Sequence, residues 1–338
     1  MIINKKMAIS GKLNIQENVI LANYTTFRIG GPAKYFVEVN SVQEIKDAIL
    51  WARRRSPGAS YGGQAKQNPS AGGLRYFILG GGSNLLVSDE GFKGLVIKMQ
   101  NANIKMQSDN VKCKITAEAG APFVKIILET TKAGYSGAEW GFGIPGTIGG
   151  AICGNAHRLG QSIAPIVESV EILDSSLENK ILQNNECGFD YGKSRFKKTG
   201  EIILSANLIF KKQEQKIIDE VLEQAKAVIR RHPPFPSAGC AFKNYELKDK
   251  EDALLKNHPE LKSRVRKGKI GVGFLIDQCG LKGKQIGGAK IWEGHANYIV
   301  NVGGAKASDI IELINLCKKS VKEKFGIKLE EEIRYLGF

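Results

Sequence analysis

A cysteine in a run of small residues is the first group in this chain that could carry out chemistry. Cys240 lies in the stretch Ser237 to Asn244, which reads SAGCAFKN and follows the prolines of PPFP. A thiol can act as a proton donor or as a nucleophile in an enzyme. Free cysteines are also among the most buried residues, so a core position is the alternative interpretation.

Two glycine-rich loops could hold a phosphate-bearing ligand. The first, ILGGGSNLLVSD, places Gly80, Gly81 and Gly82 directly after an apolar segment. Glycines let a pyrophosphate approach the backbone closely, and successive N–H groups can bind it. The segment matches neither GxGxxG nor a Walker loop, so a tight strand turn is the alternative. A second loop, GFGIPGTIGGA from Gly141 to Ala151, favours one extended cofactor bound by both.

The elements that must position these groups are both strands and helices. Strands are predicted at YFVEV, RYFIL, GLVIKM, KITAEAG, SVEILD and EIILSANLIF. A capping box at Ser41 and Glu44 predicts the start of one helix, and Pro122 and Gly134 bound a second. A third helix ends at the paired prolines of HPPFP, and a fourth begins near Ser308.

The helix that begins near Ser308 carries apolar residues at helical spacing. They predict one buried face, comprising Ile310, Leu313, Ile314, Cys317, Val321 and Phe325. Cys317 is therefore expected in the core, as is Cys113 within its strand.

Two segments are interpreted as insertions. Residues 53–74 are rich in Gly, Ser, Pro, Gln and Ala, a composition that predicts a flexible loop because its few apolar residues cannot offset the ordering entropy. Residues 245–269 are charged and are predicted to be helical.

Composition and charge exclude several classes of protein. A chain of 338 residues is expected to form two or three domains, and it contains no run of eighteen apolar residues that could span a membrane. The net charge of +15 comes from lysines spread along the chain, usually beside acidic residues. This pattern indicates solvated faces that attract phosphate-bearing small molecules, and no nucleic-acid partner is expected.

The cysteines and histidines show no spacing of a metal site or a disulfide framework. Six cysteines are scattered without a CxxC pair, and four histidines lack ligand spacing, so reduced thiols and no metal are expected. The first residues, MIINKKMAISGKL, lack the apolar segment of a secretory signal. A cytoplasmic location is therefore predicted.

Seven segments in order identify a family. YTTFRIGGPAKYFVEV, ILGGGSNLLVSDEGFKGLVIKM and GIPGTIGGAICGNA resemble the FAD-binding segments of the UDP-N-acetylenolpyruvoylglucosamine reductase family. PPFPSAGCAFKN, LIDQCGLKGKQIGGAKI, HANYIVN and LEEEIRYLG resemble its substrate-domain and C-terminal segments. The likeness covers nearly the whole chain. The short link between Phe196 and Ile202 resembles the shorter, second subtype of the family.

The resemblance implies an α+β protein with a defined domain order. Two α/β modules are expected to form an FAD-binding fold of the vanillyl-alcohol-oxidase type, followed by a C-terminal α/β substrate-binding domain. The first FAD-binding subdomain is predicted at 13–105, with the flexible insertion at 53–74 and the tail 329–338 packing back on it. The second is predicted at 106–213, and the substrate-binding domain at 214–328.

The resemblance also implies a reaction. The expected function is NADPH-dependent, FAD-mediated reduction of UDP-N-acetylglucosamine enolpyruvate to UDP-N-acetylmuramate in peptidoglycan synthesis. NADPH would reduce the flavin, which would pass hydride to the terminal carbon of the substrate's double bond. Negative charge then builds on the adjacent carbon and its carboxylate, so a stabilising group and a proton donor are needed. A monomer acting on this small molecule is predicted.

Two catalytic groups follow from the resemblance. Cys240 occupies the position of the family's proton-donating hydroxyl residue, and a thiol is a stronger acid than a hydroxyl. Glu332 in EEEIR matches the carboxyl group that assists the enolate and its protonation, while Glu330 and Glu331 are expected to be surface acids.

A third catalytic group departs from the family pattern. The family motif is roughly YRxSxF, with the arginine polarising the substrate carboxylate, whereas Gly192 stands at that position here. Arg195 is taken as the catalytic cation. Lys193 and Arg158, the latter in GNAHRLG, remain as alternatives.

The remaining site residues are also implied by the resemblance. Tyr191, Lys243 and Asn244 are predicted to bind the substrate. His295 is expected to have a structural role. The predicted FAD-binding residues are Gly80, Gly81, Gly82, Ser83, Asn84, Ile144, Pro145, Gly146, Thr147, Gly149, Gly150 and Arg334.

Two competing hypotheses remain open. One is a flavin oxidoreductase of the same fold that acts on another substrate, which the segments around Cys240 and Glu332 disfavour. The other is an FAD- or nucleotide-binding homologue whose catalysis is impaired, with Gly192 as the lesion.

Overall fold

The computed structural model describes residues 13–55, 74–249 and 252–338. Most of the predicted insertion at 53–74 therefore lies outside the described residues. Contacts group the chain into two compact units, so the predicted division into three parts stays a prediction. The first unit takes in the described residues among 1–19, 33–81 and 93–226, and the second takes in 20–32, 82–92 and 227–338.

The described residues form short and long strands along the whole chain. In chain order these are β1 (Gln16–Ile20), β2 (Pro32–Val39), β3 (Tyr76–Leu79), β4 (Leu85–Val87), β5 (Phe92–Met99), β6 (Ile104–Ser108), β7 (Lys112–Glu118), β8 (Tyr135–Ser136), β9 (His157–Arg158), β10 (Gln161–Ser162), β11 (Val167–Leu173), β12 (Asn179–Gln183), β13 (Ile202–Lys212), β14 (Tyr245–Glu246), β15 (Lys269–Ile270), β16 (Gln285–Ile286), β17 (Ala289–Ile291), β18 (Ile299–Asn301) and β19 (Arg334–Leu336).

Helices separate many of these strands. In chain order they are α1 (Val42–Arg53), α2 (Phe123–Lys132), α3 (Ile148–Gly154), α4 (Phe196–Thr199), α5 (Gln215–Ile229), α6 (Ala253–Asn257), α7 (Val272–Gln278) and α8 (Ala307–Phe325). Each of the six predicted strand segments overlaps a described strand and extends at most two residues beyond it, and all four predicted helices form.

The first unit contains two larger sheets around one core. Four strands have the order β1-β2-β5-β3, with β3 parallel to β5. A second, antiparallel sheet has the order β12-β11-β13-β7-β6, and β8 also pairs with β13. Along β13, Leu204, Ala206, Leu208 and Phe210 are buried at every second position, as a strand with one face on a core requires.

The start of α1 confirms half of the predicted capping box. The Ser41 hydroxyl accepts the N–H of Glu44 at 3.2 Å, as an N-cap should. The Glu44 carboxylate accepts the N–H of Asn40 at 2.6 Å, one residue before the position of a standard box. The same two side chains therefore satisfy two backbone donors with a shifted register.

The described helices α3, α4 and α7 are absent from the sequence prediction, and for α3 the reason is an unfavourable composition. The second glycine loop was predicted as a loop throughout, yet its last residues begin α3. Three glycines in a seven-residue segment disfavour a helix. Thr147 caps the start of α3 through the N–H of Gly150, and Asn155 ends it in the left-handed conformation. Backbone bonds from its first turn to residues 119–121 supply the remaining stabilisation.

The second unit surrounds α8. The six apolar residues predicted for its buried face are all 5% exposed or less, which confirms that face and the core position of Cys317. Strands β16, β17 and β18 form an antiparallel sheet, and β4 pairs in parallel with β19. The segment at 245–269 is helical only in part, because α6 and a 3₁₀ turn at Pro259–Arg264 lie between the paired strands β14 and β15.

Two general features bear on function. None of the helices in the described part of the chain combines the length and apolar character needed to cross a membrane. Residues 13–55, 74–249 and 252–338 also contain no cluster of three or more His, Cys, Asp or Glu side chains that could hold a metal ion.

Candidate active site

The two glycine loops meet in the first unit, where Gly80 and Gly81 follow β3 and Gly146 precedes α3. A Cβ atom added at Gly81 would lie 2.6 Å from Cα of Gly146, closer than real side chains allow. One added at Gly80 would lie 2.8 Å from the Thr147 hydroxyl oxygen. The glycines therefore permit a direct contact between the two loops, backbone against backbone.

Backbone hydrogen bonds hold the second loop to the end of β7 and the start of α2. The N–H of Phe123 donates to the carbonyl of Gly146 at 3.1 Å. The N–H of Gly149 donates to the carbonyl of Ala119 at 2.9 Å. Gly149, a predicted FAD contact, therefore has its N–H already bonded to backbone, within the first turn of α3.

The adjoining loops fit a phosphate-bearing cofactor such as FAD. Gly80, Gly81 and Gly146 add no side chain to the surface where the loops meet, and Thr147 brings a hydroxyl group to it. Pro145 is exposed, and Ile144 and Gly146 are half-buried, so this loop presents its backbone to solvent. A pyrophosphate can approach such a backbone closely.

A small hairpin beside the second loop carries a cation. β9 and β10 pair with Arg158 opposite Gln161. The Arg158 guanidinium donates to the carbonyl of Phe142 at 2.7 Å, within the glycine loop. The His157 ring lies 4.5 Å from that of Tyr191, which places the predicted substrate-binding tyrosine beside this hairpin.

Gly192, the position at which the family has arginine, lies in a tight turn. Asp190 and Lys193 bond to each other through both backbone N–H groups, at 2.9 and 3.2 Å, and Gly192 has φ of +57°. A side chain in this left-handed region is disfavoured by about 1 kcal/mol or more. The turn therefore gives a physical reason for glycine at this position.

The cation predicted as catalytic, Arg195, is bonded elsewhere. Its guanidinium donates twice to Glu201, at 2.8 and 2.9 Å, and once to the carbonyl of Glu186 at 3.0 Å. Such a bidentate pair neutralises the charge that a substrate carboxylate would require. Lys193 forms an ion pair with Asp190 at 3.1 Å, within the turn.

In the second unit, the stretch containing Cys240 lies between two backbone segments. On one side Cys240 pairs with Tyr298, and the Ala241 N–H donates to the carbonyl of Asn297 at 2.7 Å. On the other side Phe242 pairs with Glu331, and the Glu332 N–H donates to the carbonyl of Ala241 at 2.9 Å. Cys240 itself is half-buried, and Glu332 follows the bridged residue Glu331.

A buried amide that the sequence did not single out holds this arrangement. The Asn297 side chain accepts the N–H of Phe242 at 3.0 Å and donates to its carbonyl at 2.8 Å. Asn297 is 1% exposed. HANYIVN is one of the segments that carry the family resemblance. The role of its Asn297 is not visible in the sequence, because an asparagine that bonds a distant backbone leaves no local pattern.

The three consecutive glutamates of the C-terminal segment have different partners. Glu330 forms an ion pair with Lys243, and Glu331 forms one with Lys318 of α8. The predicted substrate-binding lysine, Lys243, is therefore engaged by a carboxylate. The expectation that both glutamates are surface acids is correct for Glu330, which is exposed, and wrong for Glu331, which is half-buried.

The remaining predicted FAD-binding residues of the second unit lie at the start of β4 and of its partner β19. The Asn84 amide nitrogen donates to the carbonyl of Glu332 at 3.0 Å, and the Arg334 N–H donates to the carbonyl of Asn84 at 3.1 Å. The amide oxygen of Asn84 is buried and has no hydrogen-bond partner among the described residues. Gly82 and Ser83 accept hydrogen bonds through their carbonyls from Thr26.

Two other predicted residues of the second unit stabilise the backbone. The Asn244 side-chain oxygen accepts the N–H of Val272 at 3.3 Å, at the start of α7. His295 accepts the N–H of Asn297 through Nδ1 at 3.3 Å, in a turn closed by the Tyr298 N–H. This geometry agrees with the structural role expected of His295.

Comparison with known proteins defines first the class and then the family. Residues 33–176 match the family model described as "FAD binding domain". Residues 231–336 match "UDP-N-acetylenolpyruvoylglucosamine reductase, C-terminal domain". The protein therefore has the domains of a flavoprotein of this type, and the predicted α+β fold with an FAD-binding part and a C-terminal domain is confirmed.

Individual relatives span nearly the whole chain. A UDP-N-acetylenolpyruvoylglucosamine reductase of Synechococcus sp. (strain CC9311) is 33% identical over 96% of this chain and 94% of its own. One of Chlamydia muridarum (strain MoPn / Nigg) is 35% identical over 96% and 95%. The crystal structure of UDP-N-acetylenolpyruvylglucosamine reductase (MurB) from Thermus caldophilus superposes with a TM-score of 0.73 at 29% identity, covering 96% of this chain and 100% of that one.

The chain belongs to the UDP-N-acetylenolpyruvoylglucosamine reductase family. The family predicted from the sequence segments is thus confirmed. The catalytic and binding roles of single residues stay predictions.

The contact between the glycine loops yields a test of cofactor binding. Replacing Gly81 with alanine places a methyl group against the Gly146 backbone, so the loops must separate. We expect Gly81→Ala to lower FAD affinity about tenfold or more, the loss of roughly 1.4 kcal/mol of binding free energy. Titration of the apoprotein with FAD, followed by flavin fluorescence, measures it.

Gly154→Ala is the matched control, because a Cβ at this helical glycine meets nothing within 4 Å. Its FAD affinity should stay within about twofold of the wild type, since alanine is favourable in a helix. Equal FAD affinity in Gly81→Ala and in Gly154→Ala would show that contact between the loops does not govern cofactor binding.

Proposed function

We propose that this protein catalyses the reaction of its family, the NADPH-dependent reduction of UDP-N-acetylglucosamine enolpyruvate to UDP-N-acetylmuramate for peptidoglycan synthesis. Full-length relatives of this name and the match of residues 231–336 to the reductase C-terminal domain support this function. The same match argues against an oxidase of the same fold, since the shared residues extend over the C-terminal part.

The observation that carries the proposal is the pairing between the segments of Cys240 and Glu332. The N–H of Glu332 bonds to the carbonyl of Ala241, so a thiol and a carboxyl group far apart in sequence lie on adjacent segments of the second unit. The reaction requires a proton donor to carbon, together with a group that assists it.

FAD is the cofactor, and the first-unit loops of Gly80, Gly81 and residues 144–147 hold its phosphate-bearing part. When bound, it takes hydride from NADPH and supplies it to the terminal carbon of the enolpyruvyl group. We retain Gly82, Ser83, Asn84 and Arg334 as predicted FAD contacts.

Cys240 supplies the proton. Its Sγ–H donates to the carbon that bears the substrate carboxylate, so hydride and proton together saturate the double bond. A reference pKa near 8.5 makes a thiol a far stronger acid than an aliphatic hydroxyl, and the resulting thiolate recovers its proton afterwards. Glu332 assists the enolate intermediate and its protonation by Cys240.

Arg158 is the cation that stabilises the carboxylate as charge develops. Arg195 is bidentate to Glu201, and Lys193 is paired with Asp190, so both give their charge to carboxylates of the protein. Arg158 donates to the carbonyl of Phe142 in the glycine loop assigned to FAD, and the ring of its neighbour His157 contacts Tyr191, a predicted substrate-binding residue. Planar guanidinium groups suit bidentate binding of a carboxylate.

The remaining predictions complete the proposal. We retain Tyr191, Lys243 and Asn244 as predicted contacts to the UDP-sugar. When the substrate binds, Lys243 leaves the Glu330 carboxylate and binds a group of the substrate. The protein works as a monomer in the cytoplasm, where NADPH and the nucleotide substrate are made.

Substitution of Cys240 tests the proton-transfer role. We expect Cys240→Ala to slow reoxidation of the reduced flavin by the enolpyruvyl substrate by about 10²-fold or more, the usual contribution of a general acid. Cys240→Ser should retain the rate within about tenfold, because a hydroxyl can still donate. Reduction of the flavin by NADPH should be unchanged in both. Anaerobic stopped-flow absorbance separates the two half-reactions.

Cys279→Ala, a substitution at a half-buried cysteine elsewhere in the second unit, is the control and should leave both half-reactions unchanged. Alkylation near pH 8 gives an independent test, since burial raises the pKa of Cys187 to about 11 and that of Cys317 to about 12. These two stay protonated and react slowly. Normal substrate reduction in Cys240→Ala would remove the thiol from the mechanism.

Arg158 has a separate test. Arg158→Met should lower the rate of substrate reduction by about 10²-fold, the typical loss when one stabiliser of developing charge is removed. Lys193→Met should change it by less than about threefold, because that ammonium is paired with Asp190. The half-reaction with the enolpyruvyl substrate measures both. A larger loss in Lys193→Met than in Arg158→Met would reverse the assignment.

A further inference from the structure

We propose that Lys318 of α8 is a positioning residue for Glu332, and that it acts through the neighbouring carboxylate of Glu331. This role rests on the proposed function, because it concerns the carboxyl group assigned to substrate protonation. It adds a residue that lies outside all the segments carrying the family resemblance.

The Glu331 carboxylate is held by donors from two different elements. Lys318 Nζ bonds to one of its oxygens, and the exposed fractions of the two side chains are 35% for Lys318 and 19% for Glu331. The Tyr335 hydroxyl forms a hydrogen bond with the same carboxylate. Burial, together with this carboxylate, raises the pKa of Tyr335, so its phenol stays protonated and donates.

The helix that carries Lys318 is fixed in the core. Ile314, Cys317 and Val321 of α8 are each 1% exposed or less, and they belong to one hydrophobic cluster. An ammonium group on a helix anchored in this way is a fixed point for the C-terminal segment. Surface lysines without such an anchor contribute little to positioning.

The backbone of Glu331 transmits this position to both catalytic segments. Phe242, which lies two residues after Cys240 in the chain, pairs with Glu331. On either side of this pair, the Lys243 N–H donates to the carbonyl of Glu330 and the Glu332 N–H donates to the carbonyl of Ala241, both at 2.9 Å. Holding the side chain of Glu331 therefore holds the register in which Glu332 lies beside the segment of Cys240.

The neighbouring lysine of α8 offers a matched comparison. Lys319 is 73% exposed, and its nearest carboxylate oxygen, on Glu323 of the same helix, is 4.0 Å away. It has the same charge and adjoins Lys318 in the helix, but it does not contact the C-terminal segment through that pair. A substitution there controls for the change of charge and for the effect on the helix.

Removing the Lys318 charge should affect one half-reaction. Without the ammonium, the partly buried Glu331 carboxylate loses its cation, and the paired segments shift. A displacement of about 1 Å in a catalytic group can lower a rate about 10²-fold. NADPH oxidation does not use Glu332, so reduction of the flavin should be spared.

The test compares Lys318→Met, Lys318→Arg and Lys319→Met in the FAD-loaded protein under anaerobic conditions. Rates of flavin reduction by NADPH and of reoxidation by UDP-N-acetylglucosamine enolpyruvate are measured, together with substrate affinity. We expect Lys318→Met to slow reoxidation by about 10- to 100-fold, with NADPH reduction and substrate affinity within about twofold. Lys318→Arg should restore most of the rate, and Lys319→Met should match the wild type.

Other outcomes contradict this role. Unchanged reoxidation in Lys318→Met, or equal slowing of both half-reactions, would overturn it in favour of a general structural contact. If Lys318→Met fails to fold, Tyr335→Phe removes the second donor and should show the same selective slowing, and its absence would also overturn the role. A wild-type flavin that the substrate does not reoxidise would instead overturn the proposed function.

Discussion

The chemistry assigned to the second unit depends on the backbone bonds that hold residues 240–243 on both sides. Asn297 bonds this stretch on one side through its own carbonyl and side-chain amide, and the C-terminal segment pairs with it on the other. Buried backbone groups must find partners, so these bonds are made in only a few registers. A shift by one residue would change which residues of the Cys240 and Glu332 segments lie opposite each other.

Ion pairs engage several of the charged residues that the sequence singled out. Three glutamates in a row would repel each other if none were paired, but Glu330 and Glu331 are each bonded to a lysine. Arg195 and Lys193 are likewise engaged by carboxylates. The charges of Arg195 and Lys193 therefore serve the fold, and the charge-stabilising role proposed for Arg158 is an alternative to both.

The sequence predicted the regular elements because each carries a local signal. The buried face of α8, the strand β13 and the helix bounded by Pro122 and Gly134 all follow from periodicity or end signals. α3 was missed because its glycines oppose the helix, and bonds to residues 119–121 outweigh that local preference.

The site was predicted in part. Resemblance selected the segments of Cys240 and Glu332, and the structure brings those segments together. The resemblance could not show that Arg195 bonds Glu201 or that Lys318 bonds Glu331, because these ion pairs form only in the folded chain. Gly192 likewise has a positive φ, because it lies in a turn closed by Asp190 and Lys193. Glycine in place of the family arginine therefore has a structural reason that the amino-acid type alone does not show.

The central claim is that one protein carries out both half-reactions, and a visible spectrum taken under anaerobic conditions tests it most directly. We predict flavin absorbance in the FAD-loaded protein, bleaching on addition of NADPH, and full return of the absorbance on addition of UDP-N-acetylglucosamine enolpyruvate. Flavin that bleaches and does not return with this substrate would contradict the proposed reductase function. A protein that stays colourless after incubation with FAD would contradict the assignment of the glycine loops as well.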